Sequence, residues 1–198
     1  MTAVGGAEPE VALRGRATVV RLVLVGFMGA GKSTVGPIVA RALDWDFVDL
    51  DDEIARREGC SPAEIIRGRG IARFRRVESA AGRDILGRTE VVVAVGGGWA
   101  AEPGHMASLG RHSTSVWLRV SPETALARIE DSSASRPLLG GSDPHAAAEG
   151  LLRRRTAHYR QSDITIETEG RSPDEVARAI LEHPLLAAAA RGQDAPGI

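Results

Sequence analysis

Residues 19–25, Val-Val-Arg-Leu-Val-Leu-Val, run without a break into Gly26-Phe27-Met28-Gly29-Ala30-Gly31-Lys32-Ser33. The first seven are rich in β-branched side chains and read as a strand buried on both faces of a parallel sheet. The eight that follow satisfy Gly-x-x-x-x-Gly-Lys-Ser/Thr, the pattern of a phosphate-binding loop, or P-loop. Its glycines let the backbone wrap with N–H groups turned inward, and the next helix adds the positive end of its dipole. Lys32 then reaches the β- and γ-phosphates, the Ser33 hydroxyl binds Mg2+, and Gly29, Ala30, Gly31 and Thr34 complete the cradle. A glycine-rich turn without chemistry would need neither a strand before it nor a helix after it. Both are present, since residues 35–43 have helical apolar spacing.

Outward from this loop, apolar runs alternate with helical stretches. Residues 47–50 read as a second strand ending in acids, residues 91–95 as a third, followed by Gly96-Gly97-Gly98, and residues 115–120 and Ile164–Glu167 as two more. Ser61-Pro62-Ala63-Glu64 and Ser172-Pro173-Asp174-Glu175 both have the capping-box form with proline at the first helical position. Further helices are expected over 73–86, 122–129 and 146–160. Strands alternating with helices give an α/β domain with a mainly parallel sheet. One domain is expected over residues 18–183, between a flexible leader at 1–17 and a flexible, Ala-rich tail at 184–198. The run from about 131 to 145 is rich in Ser, Gly and Pro and reads as a lid.

The chain has 198 residues, 43% hydrophobic and 26% charged, with a formal net charge of -1. That balance argues against a nucleic-acid partner, whose backbone needs a basic face. A single cysteine, Cys60, excludes an intrachain disulfide and a cysteine metal cluster. No run approaches the ~18 apolar residues of a membrane span, and the first residues lack a signal pattern. The expectation is a cytoplasmic monomer. Lys32 is the only lysine; every other one of the 25 basic side chains is arginine.

That solitary lysine separates the P-loop classes. A guanine-reading switch needs Asn-Lys-x-Asp, hence a second lysine, and a large mechanical ATPase needs more chain. A small-molecule kinase needs an acceptor site, and candidates for one are present. Asp49 and Asp51 flank Leu50, and strand alternation would put both carboxylates on one face at the carboxyl edge of the sheet. One could hold hydrated Mg2+ while the other accepts a hydroxyl proton; equally, these acids could cap the next helix. Arg75 and Arg76 follow Phe74 on a helix, where an arginine pair is ordinarily a solvated face. Three successive glycines imply either a tight turn or a close approach to ligand. Arg136 lies in the lid, and of Arg153, Arg154 and Arg155 at least one could face the cleft.

Taken together, the glycine loop, Asp49-Leu50-Asp51, Phe74-Arg75-Arg76-Val77-Glu78, the triple glycine, Arg136-Pro137-Leu138-Leu139, and Arg155 with Tyr159 resemble the shikimate kinases of aromatic amino-acid biosynthesis. The resemblance spans about residues 21–181. It implies a three-layer P-loop fold with a five-stranded parallel sheet of order 2-3-1-4-5, and ATP-dependent phosphorylation of the 3-hydroxyl of shikimate. The partners it implies are thus ATP and shikimate, with Mg2+ as cofactor. Lys32 and Arg136 would stabilise the transferred phosphoryl group, Ser33 would ligate Mg2+, and Asp49 would act on it through water. Asp51 would hold the acceptor hydroxyl as base, and Arg75 and Arg155 would bind the carboxylate. Gly97 and Gly98 would approach the acceptor, Gly97 through its backbone N–H, and Arg128 would lie against adenine. Two departures fall beside the acceptor elements: Ile71 where the family usually has glutamate, and Trp99 where a small residue commonly follows the glycines. A paralogous kinase for another cyclitol or sugar acid is the alternative.

Overall fold

The computed structural model describes residues 19–130 and 143–186. The leader, most of the lid with Arg136, and the tail from residue 187 lie outside the described residues. β1 (Arg21–Val25) occupies the centre of a five-stranded sheet of order β2-β3-β1-β4-β5. Its partners are β2 (Asp46–Asp49), β3 (Val91–Ala94), β4 (Ser113–Arg119) and β5 (Ile164–Glu167), and every pairing is parallel. Leu24 stands between Ala94 and Val116 in register. All of β3 is buried, so both faces of the sheet must be covered, which is why these strands are continuous apolar runs.

α1 (Lys32–Leu43) packs along β1, β2 and β3 and lies beside α7 (Pro173–Leu181). On the other face α5 (Pro122–Glu130) pairs with α6 (Pro144–Tyr159), and Tyr159 meets the Trp117 ring of β4 at 5.9 Å. α3 (Pro62–Arg69) and α7 open with the capping boxes read from the sequence, Ser61 with Glu64 and Ser172 with Glu175. α4 (Ile71–Ile85) buries Phe74, Val77, Glu78, Ala81 and Ile85 on one side.

Three expectations change. β2 stops at Asp49, and Leu50 begins α2 (Leu50–Glu58) instead of ending the strand. The reason is local: Asp49 caps this helix by accepting the Asp51 N–H at 3.0 Å. The end of the run read as a lid is helical: α6 begins at residue 144, and the Asp143 side chain caps it by accepting the Ala146 N–H. The packed domain also continues past residue 183, with Leu186 buried and Leu185 against the core. Among the described residues no helix is long and apolar enough to cross a membrane.

Candidate active site

β1 delivers the glycine loop to the carboxyl edge of the sheet, at the point where the chain turns to opposite sides of the central strand. Gly29 sits at φ +76°, and a Cβ there would lie 2.6 Å from Ala125 O, so neither the backbone nor the space admits a side chain. α1 then opens on Gly31 with no side-chain cap and no acid in its first turn. α2, α3, α6 and α7 all carry a capping side chain. α4 also lacks one, opening on Gly70, so what sets α1 apart is the glycine loop before it, whose inward amides and the helix start together suit an outside anion. Lys32 Nζ donates to Gly26 O at 2.9 Å and Phe27 O at 3.0 Å, folded over the loop it would leave to meet a phosphate.

Around this loop is a cavity of about 430 Å3 that includes Asp49, Asp51 and Arg128. Ser33 Oγ donates to Asp49 Oδ2 at 2.5 Å, bringing a hydroxyl and a carboxylate together at the helix start. Arg128 is fixed by bonds to Gly29 O (3.2 Å) and Thr168 O (2.9 Å), which tie the loop to the end of β5.

A second cavity of about 400 Å3 adjoins the first, and Met28, Asp51, Gly96 and Gly97 line both. It holds two guanidinium groups, those of Arg75 and Arg155. A Cβ on Gly98 would run into Arg75 and come within 2.9 Å of Arg155 Nη2, so the third glycine lets both arginines close on one point. Arg75 is held from two sides, by Glu78 Oε2 at 2.5 Å and by Glu102 Oε1 at 2.8 Å. Glu78 is 1% exposed, and its Oε1 has no partner among the described residues. Burial pushes its carboxyl up to about 7, against the opposing pull of Arg75. Burial likewise lowers the pKa of Arg155, although a guanidinium remains charged. Pro62, Ile66 and Phe74 give an apolar stretch of the remaining wall, which Asp52 and Ser61 also line.

The site residues expected from the sequence line these two cavities, except Arg136, which lies outside the described residues. Asp49 and Asp51 reach the cavity together, but through a helix cap and first turn, not through strand alternation. The capping reading holds for Asp49, which caps α2 and also accepts a hydrogen bond from Ser33. Arg76, Arg153 and Arg154 are exposed, while Arg75 and Arg155 line the acceptor cavity. Trp99 does not line it; the ring is 2% exposed, packed against Gly82 and the His105 ring. Ile71, 45% exposed, does stand at the acceptor cavity. Glu78 has no task in the sequence motif, and its i,i+3 spacing from Arg75 is the signal that pairs them. Thr168 and Arg171, and Pro173 at the start of α7, line the nucleotide side as well. The rule that ligands gather beyond the carboxyl ends of strands points to them.

A phosphate cradle on the central strand, opening into an acceptor cavity with two convergent guanidinium groups, defines a P-loop kinase. The chain is more particular than that. The family model described as shikimate kinase matches residues 28–184, and the chain belongs to this family. Shikimate kinase of Moorella thermoacetica is 42% identical over 163 residues, covering 81% of this chain and 92% of that one. The enzyme of a Synechococcus species is 36% identical over 175 residues, covering 88% and 89%. Among solved structures, shikimate kinase from Acinetobacter baumannii in complex with shikimate superposes with a TM-score of 0.78 at 32% identity, covering 85% of this chain and 94% of that one.

Proposed function

We propose that this enzyme transfers the γ-phosphoryl group of ATP to the 3-hydroxyl of shikimate, giving shikimate 3-phosphate and ADP. The observation that carries the reading is that Asp51 lines both cavities, the phosphate cradle and the one that holds Arg75 and Arg155. An acceptor whose carboxylate engages Arg75 and Arg155 would present a hydroxyl toward Asp51. Arginine forks suit a carboxylate because they donate two parallel hydrogen bonds.

In the step itself, the acceptor oxygen forms a bond to the γ-phosphorus as the bond to the β,γ-bridging oxygen breaks, and the hydroxyl proton passes to the Asp51 carboxylate. Lys32 leaves the Gly26 and Phe27 carbonyls for the phosphate oxygens. Arg136, expected to bring a second charge to the transferred group, rests on the sequence alone. The α1 amides hold the phosphates, and Arg128 with Pro173 bounds the space for the base.

The hydroxyl of Ser33 and the carboxylate of Asp49, two hard oxygens 2.5 Å apart, suit Mg2+, which keeps several waters and relies on few protein ligands. Mg2+, when bound, supplies charge neutralisation at the β- and γ-phosphates. Ser33 would be its direct ligand and Asp49 would act through water. We expect the enzyme to act as a monomer in the cytoplasm, which supplies its ATP.

Ile71 at the acceptor cavity favours a second reading, a related acidic polyol in place of shikimate. A coupled ADP-release assay with Mg-ATP and shikimate, quinate, gluconate and neutral cyclitols decides between them. Saturable turnover with shikimate is expected. Turnover confined to a neutral cyclitol would overturn the assignment.

A further inference from the structure

Tyr159 is a buried phenol to which the reaction above gives no task. It is the only tyrosine in the chain, it is fully buried, and it follows Arg155 by one helical turn on α6. Its hydroxyl donates a short hydrogen bond to Gly97 O. The Arg155 guanidinium lies at the same glycines, with Nη1 3.4 Å from the place of a Cβ on Gly97 and Nη2 2.9 Å from that on Gly98, and it attracts the phenol oxygen. A guanidinium can only donate and a carbonyl can only accept, whereas a phenol does both. The phenol proton goes to Gly97, which leaves the phenol lone pairs to accept an Arg155 N–H. Burial pushes the phenol up to about 12, with Arg155 opposing, so the proton stays in place at working pH.

The effect falls on the peptide joining Gly97 to Gly98. Within one planar peptide, C=O and N–H point in opposite directions. Holding the Gly97 carbonyl on Tyr159 therefore directs the Gly98 N–H away from the phenol. Glycines have no side chain to hold such a plane. Neither the Gly97 nor the Gly98 N–H donates to a backbone carbonyl among the described residues. Gly98 is also the point on which Arg75 and Arg155 converge. One hydroxyl thus ties an arginine of the acceptor cavity to the backbone that faces it.

We propose that Tyr159 is a positioning residue of the acceptor site: its hydroxyl links the Arg155 guanidinium to the Gly97 carbonyl and sets the arginine fork and the Gly97–Gly98 peptide to receive the acceptor carboxylate. This rests on reading that cavity as the acceptor site.

Tyr159→Phe removes one oxygen and keeps the ring beside Trp117. The expected result is a rise of about tenfold in the KM for shikimate. The KM for ATP should stay within about twofold, and kcat should fall less than the shikimate KM rises. A phenol that only packs would lower Tm and leave both KM values unchanged, and that result overturns the proposal. An equal rise in both KM values overturns it too. Should the variant not accumulate as folded protein, the wild-type enzyme carries the test. Labelled with tyrosine enriched in 13C at Cζ, it gives a single side-chain resonance. That resonance should move on titration with shikimate and stay still with Mg-ATP alone; a signal indifferent to saturating shikimate overturns the proposal. Failure of the functional reading looks different, because the wild-type enzyme would then show no saturable turnover with shikimate.

Discussion

Asp51 lines both cavities, and Asp51→Asn tests its part in the chemistry. An amide can still hold a hydroxyl but cannot take its proton. The expected outcome is a loss of about 10²–10⁴ in kcat, the usual size of a general-base contribution. Nucleotide affinity, measured by calorimetry, should be nearly unchanged; a collapse of ATP binding would mean that Asp51 and Asp49 have exchanged roles. At this scale the sequence was legible where chemistry requires a residue type, as at Lys32, Ser33 and the triple glycine. It was not legible where the same type recurs in succession. Arg153, Arg154 and Arg155 are chemically identical, and only the rotation of α6 about its axis buries the third. Trp99 shows the converse: its size pointed to the acceptor, but Gly82 leaves a space for it in the interior.

Helix α2 shows how one residue can serve an element and a site at once. Asp49 ends β2, caps α2 through the Asp51 N–H, and receives the Ser33 hydroxyl. The strand reading failed here because a residue in extended conformation at a helix N-cap is locally indistinguishable from the last residue of a strand. Four acids in a row, Asp49, Asp51, Asp52 and Glu53 around Leu50, also favour a helix start through its dipole. The two tasks of Asp49 separate by substitution. Serine caps about as well as aspartate, whereas alanine costs about 1 kcal/mol. Asp49→Ala should therefore lower Tm by about 2–4 °C, and Asp49→Ser should leave it essentially in place. Both should raise the Mg2+ concentration needed for half-maximal turnover, since neither carries the charge. Equal thermal losses would remove the cap from the account, and an unchanged Mg2+ requirement would remove the metal role.

For the molecule as a whole, the parallel sheet, its strand order and the loop at its switch point followed from apolar runs, glycines and the family resemblance. What stayed hidden is how α4 and the loop after β3 close together around Glu78. That closure makes the stability of the entire fold depend on pH. Glu78 has a folded pKa of about 7, raised by burial above the ordinary 4.5. It faces Arg75 on its own helix, Asp51 on α2, Glu102 after the glycines and Arg155 on α6. Between those two pH values the folded chain keeps a proton that the unfolded chain has released, so stability falls as pH rises. The contribution is fully present below about 4.5 and gone above about 7, with a slope of at most about 1.4 kcal/mol per pH unit. Glu53 works in the opposite sense, held down to about 2 by Arg56 and Arg57, and so changes stability only in stronger acid. Glu78→Gln keeps the shape and removes the titration. In urea unfolding at pH 5, 6, 7 and 8, the gap between the variant and the wild-type chain should shift steadily in favour of the variant up to about pH 7 and then level off. Parallel curves for the two proteins across that range would show that Glu78 is ionised throughout, and that its charge is fully compensated by the arginines it faces.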